Sequence, residues 1–253
     1  MFLTNLIIFG KLKKIILSDS IVVIPTYNEK ENVERMTRKV MSLPKEFHIL
    51  YVDDSSPDGT AVIIKDLMNE FPERIHLEER QGKLGLGTAY IHGFKWAIEK
   101  GYDYIFEMDC DFSHNPDDLI RLYNACANDG ADFSIGSRYV KGGKVENWPM
   151  KRLLMSYFAS VYVRLILLIS IRDTTAGFKC YKRNVLQTIN LDGNTFKGYA
   201  FQICMKYAAL RHGFKVKEVP ITFIDRVYGE SKMSPGIFKE AFFGVWKMRR
   251  MKL

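Results

Sequence analysis

Cysteine is scarce in this 253-residue chain: Cys110, Cys126, Cys180 and Cys204 are the whole complement, spaced 16, 54 and 24 residues apart. No CxxC pair is present, which excludes a disulfide-stapled scaffold, a zinc ribbon and a dithiol redox motif and fits a reducing compartment. Of the histidines, His48, His76, His92 and His212 have no metal-ligand spacing. Repeats and low-complexity linkers are absent, so no firm domain boundary is marked. A secretory signal is lacking too. Residues 1–10 are apolar, but Lys11, Lys13 and Lys14 follow them, the reverse of a signal peptide's charge order. Residues 1–19 are expected to form a loose or interfacial start, and the cytoplasm is the expected compartment.

What is present suffices for a large core: 47% of residues are apolar and 13% aromatic, which excludes a disordered chain. The 37 Lys and Arg against 29 Asp and Glu leave a net charge of +8, and the excess is local. Residues 138–183 hold ten cations against Glu146 and Asp173, and residues 226–253 hold seven against Glu230 and Glu240. The remainder is net acidic. Two basic segments beside an acidic body point to a polyanionic partner: nucleic acid, anionic lipid or a phosphorylated substrate.

Short β-branched or aromatic runs alternate with longer amphipathic ones. Residues 21–24, 47–52, 102–108 and 132–136 read as buried strands, and residues 28–43, 58–71 and 86–99 have helical spacing and length. Asp58 is placed to cap the second helix. Strand followed by helix, repeated, implies an α/β fold with a mostly parallel sheet flanked by helices, whose ligand crevice lies beyond the carboxyl ends of the strands. Residues 153–171 are apolar except for Arg164, with Lys151, Arg152 and Arg172 at the flanks. A central arginine disfavours a membrane span, leaving a buried core helix or one lying in a membrane interface. The second basic aromatic stretch, with Phe238, Phe242, Phe243 and Trp246 among Lys239, Lys247, Arg249 and Arg250, favours the interfacial reading for residues 150–171 and 234–253 alike.

Three strand ends carry the chemistry. Asp109-Cys110-Asp111 places two carboxylates one residue apart in a turn, a pattern that holds Mg²⁺ or Mn²⁺ together with substrate phosphates or, more plainly, caps a turn. Asp53-Asp54 ends the preceding strand, where a carboxylate can accept from a base or ribose hydroxyl, or simply form an Asp-rich turn. Pro25-Thr26-Tyr27-Asn28-Glu29 supplies a ring to lie against a nucleobase. The glycines at 82, 85 and 87 lack the spacing of a nucleotide fingerprint and read as a tight entry into a helix from Thr88. Arg138, Arg226 and Lys232 supply cations with few acidic neighbours in sequence, Arg226 and Lys232 bracketing a flexible Gly-Glu-Ser stretch suited to closing over a ligand. His114 is adjacent to the acidic turn, where it either touches a metal or caps the next helix.

The segments PTYNEKEN (25–32), VDDSSPDGT (52–60), KLGLGTAYIHGF (83–94), MDCDFSHNP (108–116), GSRY (136–139), DTTAGFKCY (173–181) and EVPITFIDRVYGESK (218–232) resemble, in order, the dolichol-phosphate (polyprenol-phosphate) mannosyltransferases among the inverting family-two glycosyltransferases. The resemblance spans residues 20–232. It implies a GT-A (Rossmann-like) catalytic domain over residues 20–233 and transfer of mannose from GDP-mannose to a polyprenyl phosphate with inversion, giving a β-mannosyl phosphate. It further implies that Pro25, Tyr27, Glu29, Val52 and Asp54 form the guanosine pocket, Asp109, Cys110 and Asp111 the diphosphate and metal turn, and Arg138, Arg226 and Lys232 the phosphate-binding cations. Ser113 stands where some relatives have a Gln metal ligand. Many relatives carry transmembrane helices after this domain; here the sequence ends at Leu253, which assigns membrane contact to interfacial helices or to a small membrane-anchoring subunit. The nearest alternatives are a glucosyl- or N-acetylhexosaminyltransferase using a UDP-sugar and a non-catalytic nucleotide-sugar or lipid-binding protein. No nucleic-acid motif is present, so nucleic acid is not expected as a partner.

Overall fold

The computed structural model describes residues 18–196, 198–226 and 235–251, the side chains of residues 235–241 excepted. Its elements run β1 (Ser20–Thr26), α1 (Val33–Met41), β2 (His48–Asp53), α2 (Thr60–Glu70), β3 (Ile75–Glu79), α3 (Leu86–Lys100), β4 (Tyr104–Glu107), α4 (Asp118–Ala127), β5 (Phe133–Ser137), β6 (Lys144–Glu146), α5 (Met150–Leu167), β7 (Lys179–Lys182), α6 (Arg183–Thr188), α7 (Gly198–Arg211), β8 (Val216–Pro220), β9 (Thr222–Ile224) and α8 (Pro235–Arg250). Seven strands form one sheet in the order β3-β2-β1-β4-β7-β5-β8, and β6 pairs with β9. Only β7 runs antiparallel within the sheet, between β4 and β5. The C-terminal ends of β2, β1, β4 and β5 and the N-terminal start of β7 therefore share one edge, and the cleft lies along it.

Alternation along each strand divides the core into two layers. Ile21, Val23, Leu50 and Val52 face α3 and α7, among Tyr90, Phe94 and Phe201. Val22, Ile24, Ile49 and Tyr51 face α1, α2 and α4, among Met36, Ile64 and Leu119. Helix α3 lies against the sheet through Gly93, where an added Cβ would stand 2.4 Å from Val23 Cγ1.

The four expected strands and three expected helices are all present, with shifted bounds. The first helix starts at Val33 rather than at residue 28, because Asn28 has φ 55° and the Glu29 carbonyl accepts from the amides of Asn32 and Val33. Residues 28–32 thereby become a cleft loop. Asp58 stands one residue before the helix cap Gly59, and its Oδ1 accepts from the Thr60 amide at 3.0 Å.

The apolar segment at 153–171 forms most of α5 but stops at Leu167, since Leu168 takes the left-handed conformation with φ 56°. Val163, Ile166 and Leu167 are buried, while Leu154, Phe158, Leu165 and Leu168 are exposed. Helix α8 packs beside it: Tyr162 stacks on Phe242 with ring centroids 4.7 Å apart, and Trp246 Nε1 donates to Tyr162 Oη at 3.0 Å. Phe242, Phe243 and Trp246 remain exposed, so the pair presents one apolar face. Among the described residues no helix is long and apolar enough to cross a membrane.

Candidate active site

The loops leaving β1, β2 and β4 meet at the cleft, and each turns on a non-glycine residue with positive φ: Asn28 at 55°, Ser55 at 56° and Phe112 at 58°. Such backbone costs of order 1–3 kcal/mol per residue and persists where the surroundings enforce it. At Phe112 it reverses the chain directly after Asp111. The enclosed space is ≈ 580 Å³, a volume suited to a small-molecule ligand.

Asp109 and Asp111 lie on the cleft floor with Ser113 and Cys110. Burial, reinforced by the neighbouring Asp111 carboxylate, pushes Asp109 up to about 7, although the Tyr90 hydroxyl donates to its Oδ1 at 3.1 Å. Asp111 Oδ1 accepts from the Ser113 amide at 3.0 Å, and Arg226 Nη2 stands 3.3 Å from Asp111 Oδ2. Two close carboxylates, one of them reluctant to ionise, form a donor set that a divalent cation fits, because the ion would offset both the burial and the mutual repulsion. Among the described residues no group of three or more His, Cys, Asp or Glu surrounds such a position; with two protein carboxylates the remaining ligands would be substrate phosphates and water.

Pro25, Tyr27, Glu29 and Asp54 also line the cleft. Asp54 is held in place: Arg80 Nε donates to its Oδ1 at 2.7 Å, and the Leu84 amide donates to its Oδ2 at 3.1 Å. Arg80 reaches on to Thr88 Oγ1 at 3.0 Å, tying the 82–85 loop to the end of β2. Helix α3 opens at Leu86, where the helical spacing of residues 86–99 begins and two residues ahead of the Thr88 entry read from the glycines, after Gly85 with φ 102°. Lys83 from this loop lies over the Tyr27 ring, 4.6 Å from its centroid. Asp53, by contrast, turns inward to Thr26 and Ser56. Val52 is the exception among the expected pocket residues, being fully buried in the core beneath α3, so its side chain does not line the cleft.

The other end of the cleft corrects the sequence reading of the cations. Arg138 is not short of acidic partners: Asp173 Oδ2 accepts from its Nε at 2.7 Å and from its amide at 2.9 Å, and Asp173 Oδ1 accepts from Nη2 at 2.6 Å. The pair is buried and 35 residues apart, so no local spacing reveals it. Lys179 of the same basic segment likewise turns inward, to Glu107, whereas Arg183 pairs with the exposed Asp103 at the surface. Arg152, at the start of α5, lines the cleft beside Trp148, with its guanidinium 4.0 Å from the indole centroid. Lys232 lies outside the described residues. His114 neither caps α4 nor meets a carboxylate hydrogen-bonding partner. It is stacked on Phe178 at 5.0 Å, and burial pushes it down to about 4, keeping it neutral.

Residues 21–189 match the family described as Glycosyl transferase family 2. The chain is 47% identical over 232 residues to the polyprenol monophosphomannose synthase of Mycolicibacterium smegmatis, covering 91% of this chain and 87% of that one. It is 44% identical over 225 residues to the undecaprenyl-phosphate mannosyltransferase of Micrococcus luteus, covering 89% and 91%. Solved structures share the fold at low identity. Glucosyl-3-phosphoglycerate synthase of Mycobacterium tuberculosis, in complex with Mn²⁺, UDP and phosphoglyceric acid, superposes with TM-score 0.65 at 13% identity over 92% of this chain and 80% of that one. A mannosyltransferase of Pyrobaculum calidifontis, in complex with GDP-Man and Mn²⁺, gives 0.56 at 14% identity over 91% and 69%. The sheet order, the cleft at the strand ends and these matches agree on a GT-A fold, and the chain belongs to glycosyl transferase family 2.

Proposed function

We propose that the enzyme transfers mannose from GDP-mannose to a polyprenyl phosphate with inversion, releasing GDP and a polyprenyl β-mannosyl phosphate, while bound peripherally to the cytoplasmic face of a membrane. The observation that carries this reading is the position of α5. Its first turn brings Arg152 to the cleft, and the same helix displays Leu154, Phe158 and Leu165 outward. A polar reaction centre and an apolar surface are thus joined by one element, as a substrate with a charged head and an isoprenoid tail requires. The names of the two relatives support the acceptor and sugar classes. Four buried cysteines, none of them in a disulfide, suit a reducing compartment.

In this reading Tyr27 and Asp54 flank the nucleoside, and Asp109 and Asp111 hold Mg²⁺ or Mn²⁺ beside Ser113. The ion, when bound, would stabilise negative charge on the leaving diphosphate. Arg226, already 3.3 Å from Asp111, is placed to take a phosphate oxygen, and Lys232 is assigned to the same role. The acceptor phosphate is ionised at neutral pH and attacks the anomeric carbon opposite the leaving GDP, so no general base is needed. The neutral, stacked His114 agrees with that. Arg138, fixed by Asp173, and Arg152 present guanidinium groups to the acceptor side.

The test incubates the purified protein with GDP-mannose, a polyprenyl phosphate and Mg²⁺ or Mn²⁺. A mannosyl lipid is expected from wild type and none from Asp111→Ala. Tighter binding of UDP than of GDP would transfer the assignment to a UDP-sugar donor, and absence of any turnover would leave a binding protein.

A further inference from the structure

We infer that Gln202 reads a hydroxyl of the donor sugar, and that the buried Lys179 is the positioning residue that turns its amide toward the cleft. The inference rests on the donor reading above and deepens it. Lys179 of β7 is wholly buried, and its ammonium contacts two groups: Glu107 Oε1 at 2.9 Å and Gln202 Oε1. An ammonium can only donate, so the amide oxygen of Gln202 must face it. The amide NH₂ then has to point the other way. Gln202 lines the cleft, and its Nε2 is the atom nearest to the open side of Gly177, 3.6 Å from where a Cβ would stand. The missing side chain at Gly177 keeps the space in front of that NH₂ clear. Lys206, one turn along α7, donates to the carbonyls of Thr174 at 2.8 Å and Ala176 at 2.6 Å, which fixes the loop leading to Gly177.

The sheet order places this group relative to the nucleotide. Along the cleft edge come the end of β2 with Asp54, the end of β1 with Tyr27, the end of β4 with Asp109, and the start of β7 with Gly177. At about 4.8 Å per strand, Gly177 lies roughly 14 Å from Asp54 and one strand beyond the acidic turn. With the base at Asp54 and the diphosphate at Asp109, the next group along is the sugar. The phosphates would have Arg226, and a cation held by Asp109 and Asp111, to meet their charge, whereas a neutral amide donor is matched to a hydroxyl oxygen. A site that commits a buried, oriented donor to one hydroxyl discriminates against sugars lacking it.

The experiment compares GDP-mannose with its 2-, 3-, 4- and 6-deoxy analogues. Wild type should prefer GDP-mannose to at least one analogue by roughly 10-fold in kcat/KM. Gln202→Met, which conserves length and adds no charge, should lose that preference for the same analogue and keep its affinity for GDP alone within about twofold. Lys179→Met should lose it too, whereas Lys179→Arg, which still only donates, should retain much of it. Circular dichroism and GDP binding report whether each variant is folded, and Gln202→Met decides the matter if Lys179→Met is not. Undiminished preference at every hydroxyl in Gln202→Met, or an equal loss of GDP and GDP-mannose binding, would overturn the inference. Failure of wild type to transfer mannose would instead overturn the reading on which it rests.

Discussion

Replacing Asp173 with Asn tests whether the Arg138–Asp173 pair organises the acceptor side of the cleft. Asp173 is wholly buried and accepts three hydrogen bonds from Arg138, at 2.6, 2.7 and 2.9 Å. Without its charge the guanidinium keeps Thr175 Oγ1 at 2.9 Å and the ring faces of Tyr139, Trp148 and Phe223, none of which neutralises it. Removing one partner of a buried pair costs about 3–5 kcal/mol. For a chain of this size that corresponds to a fall of roughly 6–20 °C in Tm. The pH dependence follows from the same contact. Burial raises Asp173, but Arg138 outweighs it and holds the carboxyl below its ordinary value of 3.8. A depressed carboxylate contributes its stability above the unfolded-state pKa and loses it as pH falls through the folded-state value. Wild type should therefore exceed Asp173→Asn by a constant margin from pH 5 to 8, and the margin should close below about pH 4. Urea titrations across that range measure it. A margin under about 1 kcal/mol at pH 7, or one unchanged at pH 3, would refute the reasoning. Arg138→Met combined with Asp173→Leu should be less destabilised than Asp173→Asn alone, because no buried charge is left unpaired.

Other perturbations separate the remaining parts. Gly93→Ala drives a Cβ to 2.4 Å from Val23 Cγ1 and should cost about 1–3 kcal/mol in urea unfolding. Arg80→Met releases Asp54 and the 82–85 loop and should weaken GDP binding roughly 10-fold by calorimetry without changing vesicle binding. Phe158→Glu with Phe243→Glu should abolish flotation with anionic vesicles while preserving transfer to a short-chain, water-soluble acceptor phosphate. Chelation of divalent metal should lower GDP affinity at least about 10-fold, again by calorimetry.

Strands β1 and β2 were legible because apolar residues fill both faces, as in residues 21–24 and 47–52. Edge strand β3, with the sequence IHLEE, is buried only at Ile75 and carries two glutamates, so periodicity does not distinguish it from a loop. Strand β7 was hidden for the opposite reason. Its two lysines look solvated, yet Lys179 is wholly buried against Glu107, its partner across the β4–β7 register. The acidic turn, Tyr27 and Asp54 could be found because each follows a recognisable strand. Arg80, Asp173 and Gln202 could not, since their partners lie 26, 35 and 23 residues away.

That same invisibility of long-range pairing changes what the net charge means. Among the described residues lining the cleft, Glu29, Asp54, Asp109 and Asp111 are equalled in number by Lys83, Arg138, Arg152 and Arg226. The +8 of the chain is therefore not a field focused on the reaction centre. A bare nucleoside diphosphate entering this cleft would meet as many acidic as basic side chains among the described residues, and Asp109 is pushed up to about 7, mainly by burial and further by Asp111. The cleft gains affinity for an anion when a divalent cation supplies the missing charge. Excess cations remain at the flanks of α5 and along α8, at Lys151, Arg172, Lys247 and Arg250, beside the exposed apolar face of those helices. On the proposed reading nucleotide capture depends on the metal and membrane attachment on the basic helices, and the two would meet where Arg152 enters the cleft.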